Sequence, residues 1–557
     1  MAPRRPAAVG PEPADGAPRD ARCTRRTFVG AVAAGALAAA LPACGRRREV
    51  EGGFALPSVE RGHLLRDVRL APPAPPREDA AVVVVGGGVS GLSAAWRLVR
   101  AGVDGVRLLE LEDVLGGTAA GGARAGIPFP WGAHYVPRPT REQRALVRLL
   151  EEVGAVRGFD AQGRALADEA QLCRAPQERL CVDGVWHDGL MPAAATTAED
   201  RRQWERFEAE VAAFAARRDD AGRRAFAIPV AHSARDEDLL ALDRTSMAAW
   251  LAAHGYDAPF LRWTVEYACR DDYGADLAHT SAWAGLHYFA SRVAVPGDEP
   301  APFLTWPDGN GRLVRALAAA VGDVVRTGCV VLRAQETADR GVVTWLDVAR
   351  GTVHETHAPH VVVAVPRHVA RRVVPVLRDE PHAFVTSPWV VANVSLDATP
   401  ASRGFPTAWD NVRLGSPSLG YVVATHQADR LDAATVWTWY RAYVEQEPET
   451  VRASLLSRSW ASLRDEVLAD LAPGHEDLER HVVAVDVARW GHAMVRPEPG
   501  FLWGGVREAA ARPRGRLHFA AADLGGLPLF EEAQWAGVRA AEEVLAARGT
   551  PPAESWL

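Results

Sequence analysis

The tightest constraint on this chain is a glycine turn. Gly86-Gly-Gly88-Val89-Ser90-Gly91 follows directly on the apolar run Ala81-Val-Val-Val-Val85. A short apolar run that ends in glycine reads as a buried strand of a parallel sheet. Leu92, Ala95, Trp96 and Leu98 then recur at helical spacing. In a strand–turn–helix of this kind Gly86 permits the tight turn and Gly88 lets the backbone approach a pyrophosphate. Gly91 lets the helix close on the strand. The phosphates sit at the positive end of the helix, over Val89 and Ser90. Glu110 stands 22 residues beyond Gly88, at the end of a second apolar run, Val106-Arg-Leu-Leu109. A carboxylate there accepts hydrogen bonds from ribose hydroxyls.

The turn alone does not choose between NAD and FAD. The following stretch, Glu110-Leu-Glu-Asp-Val-Leu-Gly116-Gly117-Thr118, resembles the pattern of FAD-dependent oxidoreductases of the flavin amine oxidase and phytoene-desaturase-like superfamily. In those enzymes the glycine pair brings a second backbone segment to the diphosphate. Near the C-terminus, Phe519-Ala-Ala-Ala-Asp523 leads through Leu527-Pro-Leu-Phe530 into Glu531-Glu-Ala533. This is similar to the terminal motif of flavin amine oxidases. The resemblance implies FAD as cofactor, with Asp523 on the ribityl chain and a helix starting at Phe530 against the flavin pyrimidine. It also assigns Val330 to the cofactor, and Trp490 in Arg489-Trp490-Gly-His492.

Two departures bear on substrate. Leu527 and Leu529 occupy the segment where the amine oxidases present an aromatic ring of a two-ring cage, and leucine has no quadrupole to attract a cation. The lysine that often bonds through water to flavin N5 has no counterpart, because all 63 basic residues are Arg; Asn393 is the nearest substitute. Fold and cofactor are expected to carry over. An amine substrate does not follow from the resemblance.

The loop Pro130-Trp-Gly-Ala-His134-Tyr135-Val136 is where the family runs along the flavin ring. It makes His134 and Tyr135 candidates to face substrate, with His134 as a proton acceptor near neutral pH. A second polar and aromatic cluster spans 260–292 and contains Arg270, Asp271, Asp272, His287 and Tyr288. His287 and Tyr288 are the candidates to line a pocket. For all four catalytic candidates, ordinary core packing is the competing reading.

At 557 residues the chain exceeds one core, so several domains are expected. The expected architecture is α/β, with a Rossmann-like FAD-binding domain assembled from 80–140, 297–375 and 501–549. A mixed α+β substrate or cap domain is expected from 141–296, read as helical, and 376–500. Residues 45–79, with their proline run, read as a linker. A net charge of −7 argues against a nucleic-acid partner. Cys/His spacing offers no metal site, and Cys173 and Cys181 could bridge or stay free.

Residues 1–44 read as an export segment. Thr24-Arg25-Arg26-Thr27-Phe28-Val29 resembles a twin-arginine signal, and Leu41-Pro-Ala-Cys44 resembles a lipoprotein box. Together they imply the twin-arginine machinery as partner, a lipid anchor at Cys44 and a location on the periplasmic side of the cell envelope. The function expected is an exported FAD-dependent oxidoreductase. It would take a hydride from a C–N or C–C bond of a small organic substrate and pass electrons to O2 or a quinone. A desaturase or isomerase of an apolar polyene, and a non-catalytic flavin-fold scaffold, are the alternatives.

Overall fold

A computed structural model describes residues 49–67, 75–293, 302–380, 383–428 and 433–557. The twin-arginine stretch and Cys44 lie outside the described residues. The expected buried strand forms as Val82–Val85, and it is central. Around it runs a five-stranded sheet in the order Val325–Arg326, Val106–Leu109, Val82–Val85, His360–Val363, Leu517–Phe519. Every pairing in it is parallel. Its strands come from three separate stretches of chain.

The two faces of this sheet explain its near-continuous valine. Val82, Val84, Leu108 and Val362 pack on one side against the helices Val89–Arg100, Gly311–Val321 and Phe530–Ala547. Val83, Val85, Leu109, Val361 and Phe519 pack on the other. That side is covered by a second sheet in the order Cys329–Glu336, Gly341–Asp347, Thr352–Ala358, Arg77–Asp79. A strand buried on both faces has no polar face, so its sequence does not alternate.

The rest is built on a nine-stranded sheet. Its long strands are Val482–Val495, Thr386–Leu396 and Thr435–Ala442. One face carries Val390, Trp437, Trp439 and Val485 under the helices Pro448–Ser457 and Trp460–Leu471. The other face, with Trp389, Val391 and Tyr440, looks toward the parallel-sheet domain. The helices Ala198–Ala216, Met247–Ala253, Pro259–Tyr273 and Ala282–Ala290 form a separate layer.

Two expectations of organisation are corrected. The span 45–79 is not simply a linker. Glu51–Phe54 adds parallel to the edge of Val482–Val495, Val59–Asp67 is a helix, and Arg77–Asp79 pairs with Thr352–Ala358. Edge strands dock through backbone groups, so they need no apolar pattern to announce them. The span 141–296 is not wholly helical either. Glu178–Val182 and Val185–Asp188 form a hairpin that joins the nine-stranded sheet, with Leu180 and Cys181 buried on opposite faces. Cys173, Cys181, Cys269 and Cys329 are free and buried.

Candidate active site

At the nucleotide end, each glycine of the turn is required for a different reason. Gly86 has φ +101°, and a Cβ there would lie 2.5 Å from the Ala364 carbonyl oxygen. A Cβ on Gly91 would fall 1.8 Å from the Gly86 oxygen, so nothing larger lets the helix approach the strand. A Cβ on Gly88 would meet no protein atom within 4 Å. Nothing in the packing of the protein demands glycine at 88; close approach of a ligand does. The helix Val89–Arg100 starts there with no side-chain cap, so its first N–H groups, Val89 and Ser90 included, are offered to a bound anion.

The glycine pair lies beside this turn. Gly116 forms a bridge with Gly88, and its N–H donates to the Gly87 oxygen at 2.9 Å. A Cβ on Gly117 would sit 3.6 Å from the Gly88 Cα. Glu110 accepts from the Gly87 N–H at 2.5 Å and from the Glu112 N–H at 2.8 Å, and burial raises its pKa. Its carbonyl accepts from the Cys329 N–H at 2.8 Å, which seats neighbouring Val330 at the same end. Asp523 lies further along. Its Oδ2 accepts from the Arg367 N–H at 2.6 Å, while its Oδ1 is buried without a partner. Burial lifts its pKa to about 6. An uncapped helix start, open space over Gly88 and an orphaned carboxylate oxygen together fit the diphosphate and polyol chain of a flavin dinucleotide.

A cavity of about 130 Å³ opens at the start of Phe530–Ala547. His134, Tyr135, Trp389, Tyr440, Trp490 and Phe530 line it, and Asp271, Asp272, Arg292 and Glu531 stud its wall. The loop reaches it through hydrogen bonds: the Tyr440 hydroxyl donates to the Gly132 oxygen at 3.0 Å, and the Trp490 indole N–H donates to the Trp131 oxygen at 2.9 Å. His134 packs 5.0 Å from the Tyr440 ring, and Tyr135 packs 4.5 Å from Phe303.

His134 and Tyr135 therefore meet at the cavity with Trp490 and Phe530. Burial drops the His134 pKa to about 4, so the imidazole is neutral there. Burial also raises the Tyr135 phenol.

The other two catalytic candidates are corrected. His287 is fully buried, stacks on Trp283 with centroids 5.1 Å apart and places Nε2 3.1 Å from the Ala227 oxygen. Burial drives its pKa to about 3. It lies on the face of Ala282–Ala290 that carries Leu286 and Ala290 into the core. Tyr288 is not among the residues that line the cavity, and the Arg292 guanidinium sits 4.3 Å from its ring centroid. Arg292 in turn pairs with Asp272 at 2.5 Å. Asn393 is equally remote: it donates to the Pro130 oxygen at 3.1 Å and accepts from Thr438 at 2.8 Å, inside the sheet.

Sequence reasoning missed Trp389, Tyr440 and Glu531 as cavity residues. Trp389 and Val391 alternate along one strand face, which marks them as inward-facing but not which cavity they meet. Tyr440 carries the same kind of signal, alternating with Trp437 and Trp439 along Thr435–Ala442.

Residues 84–153 match the family model described as an NAD(P)-binding Rossmann-like domain. The mitochondrial dimethylglycine dehydrogenase of Rattus norvegicus is 34% identical over 101 residues, 18% of this chain and 12% of that protein. The chain thus spans only about an eighth of the curated relative it matches. Putrescine oxidase, solved with putrescine bound, superposes over 85% of this chain and 100% of its own at 18% identity, with a TM-score of 0.61. Cyclohexylamine oxidase from Brevibacterium oxydans covers the same shares at 16% identity, with a TM-score of 0.58. The chain has the fold of the flavin amine oxidases, built around a Rossmann-like dinucleotide-binding domain.

Proposed function

We propose that this protein is an exported FAD-dependent oxidoreductase that oxidises a C–N bond of a small organic amine, with O2 as electron acceptor. One observation carries this reading. An aromatic cavity opens where Trp490, the start of the Phe530–Ala547 helix and the His134–Tyr135 loop converge. FAD bound there would supply the hydride acceptor.

The chain's own residues do the rest. The Gly86–Gly91 turn and Gly116-Gly117 hold the diphosphate, and Glu110 the ribose. Asp523 accepts from the polyol chain. The N-terminus of Phe530–Ala547 favours negative charge at the adjoining ring edge. Tyr440, Trp389 and Trp490 wall the substrate space and exclude water. His134 and Tyr135 are neutral and act as hydrogen-bonding and packing surfaces rather than as a titrating base. An apolar polyene suits this wall poorly, because Asp271, Asp272, Arg292 and Glu531 all reach it.

The purified protein should show oxidised-flavin absorption, and anaerobic addition of amines from a panel should bleach it. Colourless protein, or a flavin that no amine bleaches, sinks the reading. Export rests on Arg25-Arg26 and Cys44. Arg25→Lys with Arg26→Lys should hold precursor in the cytoplasm, and Cys44→Ser should release the protein from membranes. Normal delivery of the double variant to the envelope would remove export from the proposal.

A further inference from the structure

The cavity wall carries more acid than its fold needs. Asp271, Asp272 and Glu531 line it, against Arg292 as its guanidinium. Arg292 is committed: one nitrogen pairs with Asp272 at 2.5 Å and another donates to the Tyr288 carbonyl at 2.6 Å. Its charge faces Asp271 and Glu531 as well, but it makes no hydrogen bond or ion pair with either. Glu531 is the more buried of the two. It is 4% solvent-exposed, at the first turn of Phe530–Ala547, and its Oε1 has no hydrogen-bond partner. An unpaired buried carboxylate oxygen is costly, and burial lifts both Asp271 and Glu531 to about 7. The cost persists in a folded protein when something else meets it.

The segment in which the flavin amine oxidases present a cage ring is aliphatic here. Leu529 stands on the cavity wall and Leu527 is buried in the core. The rings that line the cavity are Tyr135, Trp389, Tyr440, Trp490 and Phe530.

We infer that Glu531, together with Asp271, is the ammonium-binding subsite of this cavity, taking a cationic organic amine. The inference rests on the amine-oxidising reading and adds to it the group that recognises the substrate. An ammonium donates up to three hydrogen bonds and brings a positive charge to the two carboxylates that Arg292 does not pair. The groups facing Glu531 from the surrounding elements are Asp272 and Arg292 on the cavity side, with Tyr135. Glu142, Arg144 and His232 face it from a surface crevice whose wall it also forms. Amine affinity therefore rises with pH from 6 to 8, as the two carboxylates lose their protons while an alkylammonium keeps its own.

The test uses flavin-replete protein reduced with dithionite, so that amines bind without turnover. Putrescine, cyclohexylamine and cyclohexanol are titrated calorimetrically into the parent, Glu531→Gln and Asp271→Asn. Hydrogen bonds to charged groups predict a ten- to hundredfold loss of putrescine affinity in each variant, with cyclohexanol unmoved. Glu531→Asp should recover part of the loss. Should Glu531→Gln purify without flavin, Asp271→Asn and the pH dependence of the parent decide. Parental amine affinity in flavin-replete variants, or affinity flat from pH 6 to 8, overturns the subsite. Parent protein without flavin overturns the functional reading instead.

Discussion

The backbone N–H of Arg367 donates to Oδ2 of Asp523 at 2.6 Å, and Oδ1 of the same carboxylate is buried with no partner. The first bond locks the side chain's direction. It ties the strand–helix junction after His360–Val363 to the turn after Leu517–Phe519. The second oxygen is left for a hydroxyl that the protein does not supply.

Asp523→Ala should therefore lose flavin rather than fold. The alanine removes one acceptor used by the protein and one reserved for ligand. Flavin affinity should fall about tenfold or more, given roughly 1.5–3 kcal/mol for a hydrogen bond to a charged group. Flavin retained after dialysis reads this directly. Full retention would show that the orphaned oxygen serves no ligand.

Gly88 and Gly91 should separate ligand binding from folding. A Cβ at 88 meets nothing, whereas one at 91 meets the Gly86 oxygen at 1.8 Å. Gly88→Val should purify folded, with a melting temperature near that of flavin-free parent, yet colourless. Gly91→Val should express poorly or melt well below it, because backbone cannot yield as a side-chain end can. A coloured Gly88→Val would remove the dinucleotide turn from the argument.

The legibility of this chain follows from which residues act locally. The Gly86–Gly91 turn, Glu110 and Asp523 are readable because each glycine or acid serves a backbone geometry a few residues wide. The hairpin that begins at Glu178 cannot be read that way: Glu178–Val182 finds its partner at Asp410–Arg413, more than 200 residues away. His287 misleads for a related reason. A histidine among apolar residues on a helix has the same spacing whether its face meets a cavity or the core, and only the packing of Phe226 and Trp283 against it decides. Glu531 does not stand out as a cavity residue because an acid in the first turn of a helix is already explained by the helix dipole.

His287→Ala should lower stability and leave substrate affinity unchanged. The side chain is fully buried and bonded to the Ala227 oxygen, so its loss opens a void and strands a carbonyl. A cost of about 2 kcal/mol is expected, seen as a lower melting temperature. Amine KM should match the parent. A KM shift without destabilisation would return His287 to the cavity.

Glu532→Gln should flatten the pH dependence of stability on the alkaline side. Glu532 is fully buried; its Oε1 accepts from the Val230 N–H at 2.5 Å and its Oε2 has no partner. Burial raises its pKa from 4.5 to about 8. The folded state thus holds the proton more tightly than the unfolded chain. The stability this confers is complete below pH 4.5 and is lost as pH rises through 8. Glutamine keeps the acceptor for Val230 and cannot ionise. The variant should melt close to the parent at pH 5 and above it at pH 8.5, by a margin on the order of 4 kcal/mol. Buried histidines pull the other way: His287 and His475, both pushed to about 3, lose their contribution as pH falls below 6.5. Comparing variant with parent at each pH cancels those terms. Melting curves of the two proteins that stay parallel from pH 5 to 8.5 would show that Glu532 does not carry the alkaline loss.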